Sequence, residues 1–193
     1  GESFCVLFGI ADEERAAKVI SSMPVGEFGP PIFSPQIVSQ PDYHNNGVWP
    51  YVTSFWGKAA AKVGNETALM HALACNVRTA SIYATNYENY SFNTGNPYTT
   101  QINSPNMLWG LSGFMGLFHR TFFGLEFTKE GLALKPFVPT VLAGTRKLEA
   151  FPYRGMKLDI TVSGSGNEIA SCLVDGKEAE AFIPADWTGN HSI

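Results

Sequence analysis

The chain has 193 residues, of which 45% are hydrophobic and 13% aromatic, enough to fill the core of one large domain or two small ones. Only 16% of the residues are charged, and the formal net charge is −4. A mildly acidic chain without a basic stripe cannot neutralise a phosphate backbone, so nucleic acid is excluded as an expected partner. No run approaches the roughly 20 apolar residues of a membrane-spanning helix, so we expect no membrane partner either.

The first part of the chain has the pattern of helices joined by long loops. Asp12 is a good N-cap for a helix that continues to Ile20 and that Pro24 and Gly26 end. A polar, proline-rich loop follows over residues 25–46. Loops of this length within a compact domain are often functional.

Three further helices are predicted before residue 123. Trp49–Pro50 begins the first of them with a proline in the first turn, and Gly64 ends it. Asn65 can cap the next helix, which carries small and apolar residues at helical spacing. Its predicted buried face consists of Leu69, Leu73, Asn76, Val77 and Ala80. The last helix begins at Ser104–Pro105 and is apolar on nearly every side, which predicts burial all round, as for an inner helix of a larger helical array.

After Phe123 the pattern changes to short alternating segments separated by turn residues. The predicted strands are Leu125–Phe127, Leu132–Lys135, Lys147–Phe151 and Lys157–Val162. Asp175–Gly176 is typical of a tight hairpin, and residues 163–167 of a flexible one. We therefore predict a mixed α and β chain, with helical hairpins over residues 1–123 and a small antiparallel β module over residues 124–193.

Cysteine and histidine spacing gives no sign of a metal site. Cys5, Cys75 and Cys172 are far apart and odd in number, which favours three buried thiols over one disulfide and a leftover thiol. No other histidine stands at ligand spacing from His44. The chain also lacks a glycine-rich phosphate loop. We expect neither a metal nor another cofactor.

Residues 87–100, YENYSFNTGNPYTT, hold one carboxylate, Glu88, among aromatic, amide and hydroxyl side chains without a lysine or arginine. Glu88 could be a surface group, a structural hydrogen-bond hub or a general base. Aromatic faces stack on sugar rings while amides bind sugar hydroxyls, so these neighbours favour a carbohydrate site. A carboxylate without a cation keeps its charge available to accept a proton from water.

A second group of polar and aromatic residues, Asp42–Tyr51, precedes and enters the helix that begins at Trp49–Pro50. Two interpretations stay open: a capped loop whose Trp49 and Tyr51 belong to the core, or one wall of a binding site. Asp42 fits a loop or subsite residue better than a catalytic acid. Trp109 is ambiguous in the same way, and its position after the Glu88 segment favours a functional role.

These two segments resemble known enzymes. Residues 43–51, YHNNGVWPY, are similar to a segment of glycogen-debranching and related amylo-α-glucosidase proteins, although the spacing after His44 is one residue longer. Residues 88–95, ENYSFNTG, and 104–113, SPNMLWGLSG, resemble segments of processing α-glucosidase-like enzymes, with Gly110 in place of a serine. Both groups are six-hairpin, (α/α)6-toroid glycoside hydrolases. Residues 131–139 and 151–155 resemble the β-sandwich that follows the toroid in bacterial members.

The resemblance implies part of an (α/α) toroid followed by a small antiparallel β-sandwich. It also implies hydrolysis of α-glucosidic or related bonds in an oligosaccharide or polysaccharide by an inverting mechanism, with Glu88 as the general base. The implied sugar-binding residues are Tyr43, His44, Asn45, Trp49 and Trp109.

In these enzymes the general acid lies well upstream of the base, and no acid before Glu88 has the expected sequence context. We therefore expect this chain to be a C-terminal portion, inactive alone, whose partner is the missing N-terminal part of the same protein. Two alternatives remain open. One is a non-catalytic carbohydrate-binding or structural protein derived from such an enzyme, and the other is a structural β domain with a helical collar.

Overall fold

The computed structural model describes residues 1–193 and contains five α-helices and several small β-sheets, so the predicted mixed α and β composition is confirmed. The helices are α1 Glu2–Leu7, α2 Glu13–Ser22, α3 Pro50–Lys62, α4 Glu66–Tyr83 and α5 Leu108–Leu117. The strands are β1 Gly47–Val48, β2 Tyr90–Ser91, β3 Leu125–Phe127, β4 Gly131–Leu134, β5 Gly144–Tyr153, β6 Gly155–Gly164, β7 Leu173–Val174, β8 Lys177–Glu178, β9 Phe182–Pro184 and β10 Thr188–Ser192. Two compact units are present, residues 1–117 and residues 118–193. No helix combines the length and the apolar character needed to span a membrane.

Local capping residues determine where the helices of the first unit begin. The Asp12 carboxylate accepts a hydrogen bond of 2.8 Å from the backbone N–H of Arg15 at the start of α2. The Asn65 side chain does the same for Ala68 at 2.9 Å, at the start of α4. Pro50 occupies the first turn of α3, where a missing N–H costs nothing. These three of the four predicted helix starts are confirmed.

Helix α3 contacts α1, α2, α4 and α5 and is therefore the central element of the first unit. Small residues allow α3 and α4 to approach closely, and a Cβ added to Gly57 would lie 2.9 Å from the Cβ of Ala72. The buried residues of α4 are Ala68, Leu69, Ala72, Cys75, Asn76 and Thr79. The predicted buried face was wrong at Val77, which is 45% exposed, because the small residues rather than Leu73 and Val77 face α3.

Helix α5 differs from its prediction in two respects. It begins at Leu108 rather than at Ser104–Pro105, because residues 104–107 pair with residues 86–88 instead. The Ser104 carbonyl accepts a hydrogen bond from the Glu88 N–H, and the Met107 N–H donates one to the Asn86 carbonyl. The prediction of burial all round was also wrong. Gly113 faces α3, where a Cβ would lie 3.0 Å from the Cα of Tyr51, whereas Leu108 on another side is 77% exposed.

The second unit contains two three-stranded sheets, with strand orders β3-β4-β9 and β10-β6-β5. Strands β3, β4 and β9 pair antiparallel, as do β5 and β6, but β10 runs parallel to β6, so the module is not wholly antiparallel. Strands β7 and β8 form the predicted hairpin around Asp175–Gly176, whose φ angles of +51° and +77° suit a tight turn. Residues 163–167 do not form a hairpin, because Gly166 instead makes a two-hydrogen-bond bridge to Val138.

Both sheets contribute side chains to one hydrophobic core. Leu125 and Leu132 from one sheet and Leu158 and Ile160 from the other are buried in it, with at most 1% of their surface exposed. Alternate residues of β6 point into this core, as the period of a half-buried strand requires. The apolar core explains why β3 to β6 were predictable from the alternation of their residues.

Candidate functional site

A two-residue strand pair brings the two sequence segments of interest together. Strands β1 and β2 pair antiparallel, with Gly47 opposite Ser91 and Val48 opposite Tyr90. Glu88 lies just before β2, and the aromatic loop, residues 42–46, lies just before β1. As a result, the Tyr43 hydroxyl donates a hydrogen bond of 3.3 Å to Glu88 Oε1, although the two residues are 45 positions apart.

The Glu88 side chain is buried, with 8% of the residue exposed, and it forms no ion pair. Its Oε1 accepts from the neutral phenol of Tyr43. Oε2 accepts no hydrogen bond from the chain, and it is not among the buried polar atoms that lack a partner, so it reaches solvent. The carboxylate thus has one oxygen held by the protein and the other open to a water molecule.

Tyr43 is held in place by hydrogen bonds of its backbone. Its N–H donates to the Asn45 carbonyl at 2.9 Å, and its carbonyl accepts from Trp49 Nε1 at 3.2 Å. Burial raises the pKa of Tyr43 above its ordinary value of 10.0, and the charge and hydrogen bond of Glu88 raise it further. Tyr43 therefore stays a neutral phenol, with its proton available for donation to Glu88.

The backbone around Glu88 is held by Asn103, a residue that the sequence did not single out. Its Nδ2 donates to the carbonyls of Asn89 and Pro97, both at 2.8 Å. Its Oδ1 accepts from the N–H groups of Asn89 and Ser104, at 3.3 and 2.9 Å. One amide side chain therefore joins Asn89, the residue after Glu88, to Pro97 and Ser104 later in the chain. Its only sequence signal is an asparagine directly before Ser104–Pro105.

Asp42 links three segments of the site. Its Oδ2 accepts hydrogen bonds of 2.9 Å from Asn46 Nδ2 and from Ser91 Oγ, and its backbone carbonyl accepts from the Gln101 N–H at 2.7 Å. Because these donors belong to the aromatic loop, to β2 and to the loop after β2, Asp42 fixes the position of one segment relative to the others. Its carboxylate has a structural function.

Aromatic rings extend from Tyr43 toward α5. The Trp49 ring lies 5.3 Å from Tyr43, 5.2 Å from His44 and 5.5 Å from Trp109, centroid to centroid. The Trp109 ring in turn stacks on Tyr51 at 4.8 Å. Trp49 is buried, with 4% exposed, while Trp109 is 40% exposed and His44 is exposed as well. Trp49 is thus the centre of the cluster, and Trp109 and His44 expose part of their rings to solvent.

Asn45, the remaining predicted sugar-binding residue, has its amide engaged elsewhere. Its Oδ1 accepts from the Ile37 N–H at 2.7 Å, and its Nδ2 donates to the carbonyls of Ile37 and Gln40, at 3.3 and 3.1 Å. The side chain thus ties the backbone of residues 37 and 40 to the end of the same loop, just before β1. Five of the six predicted site residues therefore lie in one contact network: Glu88, Tyr43, His44, Trp49 and Trp109. The side chain of the sixth, Asn45, instead hydrogen-bonds to the backbone of the preceding loop.

Two buried amide oxygens of the same segments, Asn46 Oδ1 and Asn89 Oδ1, have no partner within the chain. Buried polar atoms of this kind generally bind ordered water. No three side chains among His, Cys, Asp and Glu come together in a way that would hold a metal ion.

A scan against protein-family models finds no match for this chain, and a search among curated proteins finds none either.

Proposed function

We propose that this chain is all or part of a glycoside hydrolase of the six-hairpin (α/α)6-toroid class, acting on α-glucosidic or related bonds by an inverting mechanism. In this proposal Glu88 is the general base. The helical hairpins of the first unit belong to the toroid, and the second unit corresponds to the C-terminal β-sandwich. The substrate is an oligosaccharide or polysaccharide.

The observation that carries the proposal is the state of Glu88. It is a buried carboxylate without a cation, with one oxygen bound by a neutral phenol and the other open to solvent. Such a carboxylate keeps one oxygen free to accept a proton from water. Glu88 differs from Asp42, whose one engaged oxygen accepts hydrogen bonds from two separate segments and so has a structural function.

In the proposed reaction, a water molecule at Glu88 Oε2 loses a proton to the carboxylate as its oxygen attacks the anomeric carbon. Attack comes from the face opposite the leaving group, which inverts the anomeric configuration. A separate carboxylic acid protonates the leaving oxygen. Trp109 and His44 present ring surface on which the C–H face of a sugar can stack.

The direct test is Glu88→Gln in the complete natural protein, with maltooligosaccharides as the probe. General-base catalysis contributes about 10²- to 10⁴-fold, so we expect kcat to fall by that factor while KM stays the same. The wild-type product, observed by ¹H NMR before mutarotation, should be the β-anomer.

The matched control is Glu14→Gln, which makes the same change at an exposed position in the first turn of α2. This variant should hydrolyse maltooligosaccharides at the wild-type rate. An unchanged rate in Glu88→Gln would overturn the base assignment, and an α-anomeric product would overturn the inverting mechanism.

A second candidate function is non-catalytic carbohydrate binding, and the state of Asp42 favours it. Asp42 is the one acidic residue of residues 42–51, and its carboxylate is engaged by Asn46 and Ser91 and so is not free to act as a general acid. Binding of maltooligosaccharides that is weakened by Trp109→Ala, without hydrolysis by the complete protein, would support this alternative.

A further inference from the structure

We propose that Tyr43 is a positioning residue for Glu88 rather than a sugar-binding residue: its hydroxyl holds Oε1 so that Oε2 faces the water molecule. This inference rests on the proposed function of Glu88. It reassigns a residue that the sequence resemblance groups with the sugar subsites.

The hydrogen-bond geometry favours positioning because a phenol has only one proton to donate. That proton is directed to Glu88 Oε1 at 3.3 Å, and no other hydrogen bond from the chain reaches this carboxylate. A sugar hydroxyl that accepted from Tyr43 would have to displace Glu88 and leave a buried carboxylate without any donor from the protein. Such a loss of a partner is costly for a buried charged group.

The surroundings of Tyr43 also restrict its movement. Its ring packs against His44 at 4.6 Å and Trp49 at 5.3 Å, and its carbonyl is held by Trp49 Nε1. Gly47 is required beside it, because a Cβ at this position would collide with the Tyr43 carbonyl. The phenol therefore has a fixed direction, which a positioning group needs and a residue that adapts to different sugars does not.

A neutral phenol is a suitable hydrogen-bond donor for a carboxylate that acts as a general base. A lysine or arginine at this place would form an ion pair with Glu88 and stabilise its charge strongly enough to weaken it as a proton acceptor. A phenol orients the carboxylate without supplying a positive charge. The contact thus fixes the geometry of Glu88 without placing a positive charge beside it.

The first test measures the contact itself, without reference to activity. The complete protein is labelled with [¹³Cζ]tyrosine, and the resonance that disappears in Tyr43→Phe is assigned to Tyr43. Because the charge and hydrogen bond of Glu88 both raise the pKa of Tyr43, its titration should move to lower pH in Glu88→Gln. Tyr83, whose hydroxyl donates to the Gly95 carbonyl, is the internal control and should not move. An unchanged Tyr43 titration would overturn the inference.

The second test separates positioning from sugar binding. Tyr43→Phe keeps the ring and removes only the donor to a charged group, so kcat on maltooligosaccharides should fall about 10- to 100-fold with KM unchanged. Tyr83→Phe should alter neither parameter. A raised KM with unchanged kcat would identify Tyr43 as a sugar-binding residue and overturn the inference.

The two tests also distinguish failure of this inference from failure of the proposed function. If Glu88→Gln abolishes hydrolysis while Tyr43→Phe has no effect on kcat, only the positioning role is wrong. If Glu88→Gln leaves hydrolysis intact, the proposed function itself is wrong, whatever the titration of Tyr43 shows about the contact.

Discussion

Glu88 in the first unit and Asp175 in the second are both carboxylates bound by the ring side chain of another residue, but their partners differ in kind. Glu88 accepts from the neutral phenol of Tyr43 at 3.3 Å. Asp175 Oδ2 contacts His191 Nδ1 at 2.8 Å, and its Oδ1 accepts from the Ser192 N–H at 2.9 Å. The hydrogen bond from His191 is the main reason that the pKa of Asp175 lies below its ordinary value.

The difference shows two uses of a negative charge. Asp175 has both oxygens engaged, one of them by a ring that can carry a positive charge, and its contacts tie β10 to the turn between β7 and β8. Glu88 has one oxygen engaged by a group that stays neutral, and its charge is not matched. Asp175 therefore stabilises local structure, whereas Glu88 keeps one oxygen available to accept a proton.

The largest effect on stability is expected from Gly47→Ala. This substitution disturbs the surroundings of Tyr43 and Glu88 and leaves the Asp175–His191 pair unchanged. The added Cβ would collide with the Tyr43 carbonyl and lie 3.3 Å from Trp49 Nε1, so it would disrupt the hydrogen bond between them. Overpacking together with a broken buried contact should lower the free energy of unfolding by roughly 3 kcal/mol. Urea unfolding of the protein, followed by tryptophan fluorescence, measures this change.

Gly110→Ala is the matched control for this glycine substitution. Its added Cβ would meet its nearest neighbour, the Cβ of Pro50, at an ordinary contact distance of 3.7 Å. Alanine is also the better helix former, so this variant should be at least as stable as the wild type. Equal stability of the Gly47 and Gly110 variants would contradict the steric role of Gly47.

A smaller effect is expected from Asp42→Ala, because it removes an acceptor without adding a clash. Ser91 Oγ and Asn46 Nδ2 would lose their partner while remaining in buried residues, at a cost of about 2 kcal/mol in the free energy of unfolding. Asp42→Asn can keep an oxygen in the same place and should cost about half as much. If both variants unfold at the same urea concentration as the wild type, Asp42 does not hold the site together.

The parts of the fold that the sequence predicted well depend on local chemistry. The caps at Asp12 and Asn65 lie within three residues of the N–H groups that they bind, so a short window contains both partners. Strands β3 to β6 of the second unit were likewise visible in their alternation, as the buried face of β6 illustrates.

The parts that the sequence missed depend on distant partners. The bond from Ser91 to Asp42 joins residues 49 positions apart, and Asn103 contacts Asn89 across a loop. The start of α5 was wrong because Ser104 and Met107 pair with residues 86–88 instead of continuing the helix. The sequence predicted which residue types form the candidate site, but not which of them would touch Glu88. Tyr43 and Asn45 differ in this respect although only one residue separates them.

The smallest effect concerns the Asp175 side of the comparison and depends on pH. The hydrogen bond with Asp175 is the main reason that the pKa of His191 lies above its ordinary value of 6.5. The contribution of His191 to stability is therefore complete below pH 6.5 and is lost as the pH rises through the raised pKa. The pKa of Asp175 lies below its ordinary value of 3.8, so its contribution is present above pH 3.8 and is lost as the pH falls through the lowered value.

The Asp175–His191 pair should therefore hold β10 most firmly between about pH 3.8 and 6.5. Hydrogen exchange of the Ser192 and Ile193 amides, corrected for the intrinsic pH dependence of exchange, measures this local stability. We expect protection to decrease above this range in the wild type and to lose this dependence in His191→Gln. The change should be small and weakened by salt, because Asp175 is about half exposed, with 49% of its side chain accessible. The same pH dependence in His191→Gln would mean that the pair does not hold β10, and Asp175 would then no longer serve as the structural counterpart of Glu88.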